Sequence, residues 1–177
     1  MRGLTTALIL ATSFYCWGQS IEEQQRADYI SLVWSSNMPD ELRDFYGQEK
    51  IRTTYKINKD LNPFYLRGDF DGDRKMDCAL AIVEIKTEKK GILIYHMGTK
   101  LHFILGAGKL IRDGYGDDDM NWMDAWKVYD KKIVEPGVGE TKIIKLKGEG
   151  INADKLESSS GVIYWDGKEY RWYHQGD

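Results

Sequence analysis

The sequence predicts an α+β fold. Two N-terminal helices pack on a mainly antiparallel sheet in a single domain, with a strand–loop–strand calcium-type loop and a C-terminal Asp-Gly hairpin. Three observations predict it. Apolar residues recur at helical spacing only before Arg52. Three apolar runs then follow at 78–85, 91–96 and 101–105, joined by short polar turns, which is the pattern of an antiparallel meander. The chain ends on two alternating aromatic runs separated by Asp166-Gly167, a two-residue hairpin signal. The 177 residues suit one domain, and neither a linker nor an internal repeat interrupts them.

The first 18 residues read as a secretory signal. Arg2 gives a basic start, Leu4 to Tyr15 is uncharged and mostly apolar, and Cys16-Trp17-Gly18 sets small residues at the −3 and −1 positions of a cleavage site. The run is shorter than the ~20 apolar residues of a membrane span. Tyr15 is too bulky for the position before a lipidated cysteine, so anchoring at Cys16 is disfavoured. Export to the periplasm or the cell exterior is the expectation. The rest of the chain keeps a single cysteine, Cys78, which cannot form an internal disulfide and reads as a small buried hydrophobe.

Ser20 and Glu23 form a capping-box pattern, and Ala27, Ile30, Val33 and Trp34 continue one helix to about Ser35. Asn37-Met38-Pro39 breaks it. A second short helix starts at Pro39-Asp40-Glu41, with Leu42, Phe45 and Tyr46 on one face. Strands are expected at 53–57 and 64–67. Cys78 to Ile85 begins apolar on both faces, the mark of a central strand. The stretch 106–124 is irregular. Residues 123–129 fit a short strand or a helix, and 143–146 and 151–156 are weaker strands.

Gly68-Asp69-Phe70-Asp71-Gly72-Asp73-Arg74-Lys75-Met76-Asp77 carries the most specific chemistry in the chain. Asp69, Asp71, Asp73 and Asp77 stand at positions 1, 3, 5 and 9 of a tight turn, with the Lys75 carbonyl at position 7. That set offers hard oxygen ligands to Ca²⁺, which takes six to eight of them at roughly 2.3–2.6 Å. The loop is not an EF-hand. Arg74 stands where the EF-hand has glycine, Leu80 where it has a bidentate glutamate, and a strand follows instead of a helix. Magnesium, which demands strict octahedral geometry, fits less well.

This loop resembles the calcium loops of FG-GAP and VCBS-type repeats over about 15 residues, Gly68 to Ile82. The resemblance implies Asp69, Asp71, Asp73 and Asp77 as ligands of a structural ion. It implies no propeller, because the loop occurs once. Arg74 departs from the glycine common in such loops. The whole chain is similar to small exported proteins of unassigned function from Bacteroidetes-type bacteria, through Gly68-Asp69-Phe70-Asp71-Gly72-Asp73, Leu105-Gly106-Ala107-Gly108, Trp122-Met123-Asp124 and Tyr164-Trp165-Asp166-Gly167. That similarity supports export and a single domain.

The remaining signals are weaker. Lysines are scattered without a basic stripe and net charge is −3, which argues against nucleic acid. No second long apolar run offers a stable membrane span after signal cleavage. Asp117-Asp118-Asp119 reads as a solvated turn before it reads as a second cation site. Gly106-Ala107-Gly108-Lys109 lacks the phosphate-loop pattern, since Leu110 follows the lysine. His96, His102 and His174 are too dispersed for zinc and read as neutral, satisfied side chains, although His96 and His102 lie near one turn. Ser158-Ser159-Ser160 reads as a turn. The aromatic residues of the C-terminal half serve as core, or as a contact face beside the loop 106–124.

The expected function is non-enzymatic binding of a protein or glycan partner, of the inhibitor or immunity type. The alternative is a hydrolase of cell-wall or glycan material using converged carboxylates, with Glu84, Asp124 and Asp166 as candidates.

Overall fold

The structure is a computed structural model that describes residues 21–176 apart from 23–24, 27–28, 30–31, 112–116 and 138–141. The expected signal at 1–18, Cys16 and the Ser20 cap therefore lie outside the described residues. The chain falls into two compact units, residues 1–43 and 44–177.

In the first unit the described residues from 21 to 29 and from 32 to 36 are helical. Helix α1 (Asp40–Tyr46) starts in this unit and ends in the second. Its first turn carries Asp40 and Glu41, where acidic groups complement the N-terminal dipole. Leu42 and Phe45 are buried, as their shared face predicts.

The second unit is built of antiparallel strands. After α2 (Glu49–Thr54) come β1 (Tyr55–Ile57), β2 (Tyr65–Gly68), β3 (Asp77–Glu84), β4 (Lys90–Tyr95) and β5 (His102–Gly106), which form the first sheet. Strands β6 (Ala125–Tyr129), β9 (Gly150–Lys155), β10 (Ser159–Trp165) and β11 (Tyr170–Gly176) form the second, in the order β11-β10-β9-β6. A small third sheet pairs β7 (Ile133–Val134) with β8 (Ile144–Lys145). The fold class is α+β with a sheet-rich core.

Strand β3 is the axis of the first sheet, buried at seven of its eight positions. β4 runs along one edge of it, with Leu80 opposite Leu93. Two short strands share the other edge in tandem. β1 covers its C-terminal half, Ile57 opposite Ile82, and β2 its N-terminal half, Gly68 opposite Asp77. Between them the Asn58 N–H donates to the Ala81 carbonyl at 2.8 Å and the Ala81 N–H to the Phe64 carbonyl at 2.9 Å, so the ladder has no orphaned group at the junction.

Alternation along the strands sorts the side chains. Ala79, Ala81, Ile92 and Ile94 of the first sheet share one core with Trp126, Ile151, Ala153, Ile163 and Trp172 of the second. Each of the buried isoleucines contributes about 1.5–3 kcal/mol of transfer free energy. The opposite face of the second sheet, Val162, Tyr164 and Tyr173, packs with Val134, Ile144 and Leu146, so the β7–β8 ribbon covers it. On the outer face of the first sheet the Phe45 ring stacks on Tyr95, centroids 4.3 Å apart.

Several elements differ from expectation. The run 53–57 was expected to be extended, yet α2 continues to Thr54. The Thr53 and Thr54 hydroxyls donate to the carbonyls of Glu49 (2.6 Å) and Lys50 (2.7 Å), satisfying themselves on the helix they would otherwise oppose. Residues 125–129 are strand, which settles the open choice there. Strand β7 carries too few residues to leave a pattern. The final hairpin is longer than two residues: Trp165 pairs with Tyr170, leaving 166–169 as the loop. Asp166 causes this, because its carboxylate accepts the N–H groups of Lys168 (2.8 Å) and Glu169 (2.9 Å) in place of a ladder carbonyl.

Candidate metal centre at the β2–β3 loop

The acidic loop leaves β2 at Gly68 and enters β3 at Asp77. Its aspartates fold the backbone around themselves. Asp69 accepts the N–H of Gly72 on Oδ1 (2.8 Å) and of Arg74 on Oδ2 (3.2 Å). Asp71 Oδ1 accepts the Asp73 N–H (2.9 Å), and Asp73 Oδ1 accepts the Lys75 N–H (2.7 Å). The path requires two left-handed residues, Gly72 at φ 80° and Arg74 at φ 71°. Glycine adopts that region freely, whereas arginine does so at a cost of about 1–2 kcal/mol.

Asp77 is fully buried. Its Oδ2 accepts the Phe70 N–H at 3.0 Å and its Oδ1 the Met97 N–H at 2.9 Å, so the carboxyl joins the start of the loop to the end of β4. Burial pushes its pKa up to about 7; the Met97 N–H opposes the rise, the Asp71 charge adds to it, the Phe70 N–H opposes it and the Asp73 charge adds to it.

Behind the loop lies a buried chain of polar side chains. Asp71 Oδ2 is 3.2 Å from His96 Nδ1, and His96 Nε2 is 2.6 Å from the Tyr170 hydroxyl. Burial lowers the His96 pKa, against the raising effect of Asp71 and Asp73. A neutral imidazole beside a carboxylate must carry its proton on Nδ1, which donates to Asp71, and Nε2 then accepts from Tyr170. Burial raises the Tyr170 pKa, and the charges of Asp77, Asp71 and Asp69 raise it further, so the phenol keeps its proton. The rings of Phe103, Trp165 and Tyr170 surround the imidazole, with centroids 4.8, 5.3 and 5.8 Å from it.

The loop also rests on the second sheet's approach turn. The Asp69 N–H donates to Glu149 Oε2 and the Glu149 N–H to the Asp69 carbonyl, both at 2.7 Å. Gly148 lies directly beneath. A Cβ there would collide with the Asp69 carbonyl and stand 2.8 Å from the Gly72 nitrogen.

The expected ligands thus fall into two overlapping groups. Asp69, Asp71 and Asp73 present carboxylate oxygens within 4.8 Å of one another, and Asp71 and Asp77 present theirs within the same distance of each other and of a His96 ring nitrogen. Asp71 belongs to both. Asp77 joins the group containing His96 and not the first triad, and both its oxygens hold backbone N–H groups. Lys75 is exposed and its N–H serves Asp73. Sequence reasoning missed His96, Tyr170 and Glu149 as parts of this centre. They come from 19 to 93 residues beyond Asp77, and no spacing rule links them to the loop.

The other candidates are engaged locally. Asp118 pairs with Lys89 at 2.5 Å, and the Lys89 ammonium holds its pKa down. Asp119 accepts the Lys90 N–H at 2.8 Å. The four N–H groups of 106–109 all donate to carbonyls, of Lys109, Lys90, Asp118 and Gly106, which leaves none for a phosphate. His102 is exposed and sits opposite Tyr95, so it does not meet His96. Glu84 accepts from Thr87, and Asp124 from the Leu156 N–H at 3.1 Å. Asp166 accepts from Arg171, which holds its pKa down to about 2. Trp126, Tyr164, Tyr170, Trp172 and Tyr173 are buried, with Trp122 and Trp165 half-buried, so most of this aromatic weight is core. An open cavity of about 430 Å³ at the β9–β10 turn, lined by Asp154, Glu157 and Ser158 to Ser160, contains none of the loop aspartates.

No protein-family model, curated protein or solved structure matches this chain. No helix among the described residues is long and apolar enough to cross a membrane.

Proposed function

We propose that this chain is an exported, non-enzymatic binding protein, periplasmic or extracellular, of the inhibitor or immunity type, whose β2–β3 loop holds a structural Ca²⁺. The observation that carries the calcium reading is the convergence of Asp69, Asp71 and Asp73 within 4.8 Å on a loop already shaped by their own side chains. Three carboxylates so close repel one another, and a hard divalent cation relieves that repulsion. The non-enzymatic reading is supported by the burial of Asp77, His96 and Tyr170 and by their use in holding the loop. The hydrolase reading needs two carboxylates free in a cleft. Glu84, Asp124 and Asp166 are each engaged with a local donor. The partner belongs to the protein or glycan class.

Thermal unfolding in EDTA, then with added Ca²⁺ or Mg²⁺, tests the ion. A ligand that binds only the folded state stabilises it, by about 2.7 kcal/mol at a hundredfold excess over Kd. The expected result is a midpoint that rises with Ca²⁺ and far less with Mg²⁺, and a rise abolished in Asp71→Ala. No shift with either ion would remove calcium from the proposal.

A further inference from the structure

Asp71 is the member of the aspartate triad that is tied to the second sheet. Among the described residues, the carboxylates of Asp69 and Asp73 accept only N–H groups of the loop itself, from Gly72, Arg74 and Lys75. Asp71 takes the Asp73 N–H on Oδ1 and faces His96 Nδ1 with Oδ2, at 3.2 Å. His96 stands just past the end of β4, and its Nε2 meets the hydroxyl of Tyr170, the first residue of β11. The Asp71 side chain is only 8 % exposed. Yet among the described residues no lysine or arginine pairs with it, nor with Asp69, Asp73 or Asp77. A buried carboxylate without a countercharge is costly, so what this site lacks is a cation.

We propose that Tyr170, acting through His96, is a positioning residue that aims Asp71 at the ion and sets the affinity of the loop for Ca²⁺. The inference rests on the calcium reading and adds the residue that tunes it. Asp71 can only accept, so His96 Nδ1 carries the ring proton that faces it. The Tyr170 hydroxyl donates to Nε2 and thereby fixes that tautomer. A carboxylate has about four lone-pair sites, so the two donors on Asp71 leave room for a metal ion. Without the hydroxyl, the ring proton is free to move to Nε2. Two acceptors, Nδ1 and Oδ2, then face each other, and Asp71 loses its aim toward Asp69 and Asp73. Hydrogen-bond partners lying behind metal ligands typically govern about 10–100-fold in affinity.

Calorimetric titration of the full chain with Ca²⁺, well below the unfolding midpoint, tests it. Tyr170→Phe should weaken Ca²⁺ binding by about tenfold or more, while Tyr46→Phe, remote from the loop, should leave Kd as it is. A loss of stability alone does not move the Kd of protein that is still folded, and near-UV circular dichroism verifies folding. A second pair carries the test if Tyr170→Phe does not fold. His96→Asn keeps a side-chain N–H to offer Asp71, and His96→Leu keeps none, so the asparagine variant should bind the ion more tightly. A parent chain that takes up no Ca²⁺ would overturn the calcium reading and this inference with it. A parent that binds Ca²⁺, with Tyr170→Phe within about twofold of it or with the two His96 variants equal, would overturn this inference alone.

Discussion

Arg74→Gly should stabilise the protein, although glycine is usually the costlier residue. Arg74 is held at φ 71°, where an L-residue other than glycine pays roughly 1–2 kcal/mol in steric conflict. Its exposed side chain makes no hydrogen bond or ion pair among the described residues, so removing it forfeits little. Against that gain stands the greater freedom of glycine in the unfolded chain, about 0.5–1 kcal/mol. The balance is a net stabilisation of about 0.5–1 kcal/mol. Urea denaturation in EDTA measures it without any contribution from a bound ion, through a higher midpoint at unchanged slope. Gly72→Ala is the mirror test. Residue 72 sits at φ 80°, and a Cβ there would stand 2.7 Å from Lys147 Cβ and 3.1 Å from the Gly148 nitrogen. That variant should lose about 1–3 kcal/mol. If Arg74→Gly instead destabilises by about 0.5 kcal/mol or more, residue 74 is not left-handed in solution and the loop does not follow this path.

Three further outcomes follow from the same centre. Tyr170→Phe leaves His96 Nε2 buried without its 2.6 Å partner and should cost about 1–3 kcal/mol in urea denaturation, whereas Tyr46→Phe, whose hydroxyl bond to the Tyr55 carbonyl is 3.2 Å and only part-buried, should cost less. Gly148→Ala should cost a similar amount to Tyr170→Phe, because its Cβ collides with the Asp69 carbonyl; restoration of stability to the parent level would show that the turn can shift aside. In EDTA, Asp77 sets a pH dependence. Its folded pKa, about 7, lies above the unfolded value, so its contribution is complete below about pH 4 and is lost as pH rises through 7. Asp77→Asn should flatten the stability profile between those limits, and an unchanged profile would show that Asp77 ionises normally.

Elements with a strong local signal were legible in the sequence. Cys78 to Ile85 was readable as a central strand because it is apolar on both faces, and β3 is the axis of the first sheet. The meander through β4 and β5 followed from polar turns of a few residues. Of the four aspartates read as one ligand set, Asp69, Asp71 and Asp73 converge because their spacing alone brings them together, while Asp77 groups with Asp71 and His96 instead. Thr53 and Thr54 misled because β-branched residues favour strands on average, while here their hydroxyls close on helix carbonyls. The Asp166 turn misled because its carboxylate competes with the ladder, and a dipeptide signature does not register that competition. His96 and Tyr170 were illegible as a pair because they meet across 74 residues and two sheets, which only the topology decides.

The reciprocal bonds between Asp69 and Glu149 make the β2–β3 loop and the approach to β9 a single opening unit. Neither can leave without breaking two hydrogen bonds to the other, and the Asp77 carboxyl adds the end of β4 to the same knot. Amide exchange at Asp69, Phe70, Met97 and Glu149, residues up to 80 positions apart, should therefore proceed at one common protection factor, set by the knot as a whole. An ion in the loop would slow all four together. The effect of occupancy would then be read most clearly not at the aspartates, but at the approach to β9, in a sheet that contributes none of them.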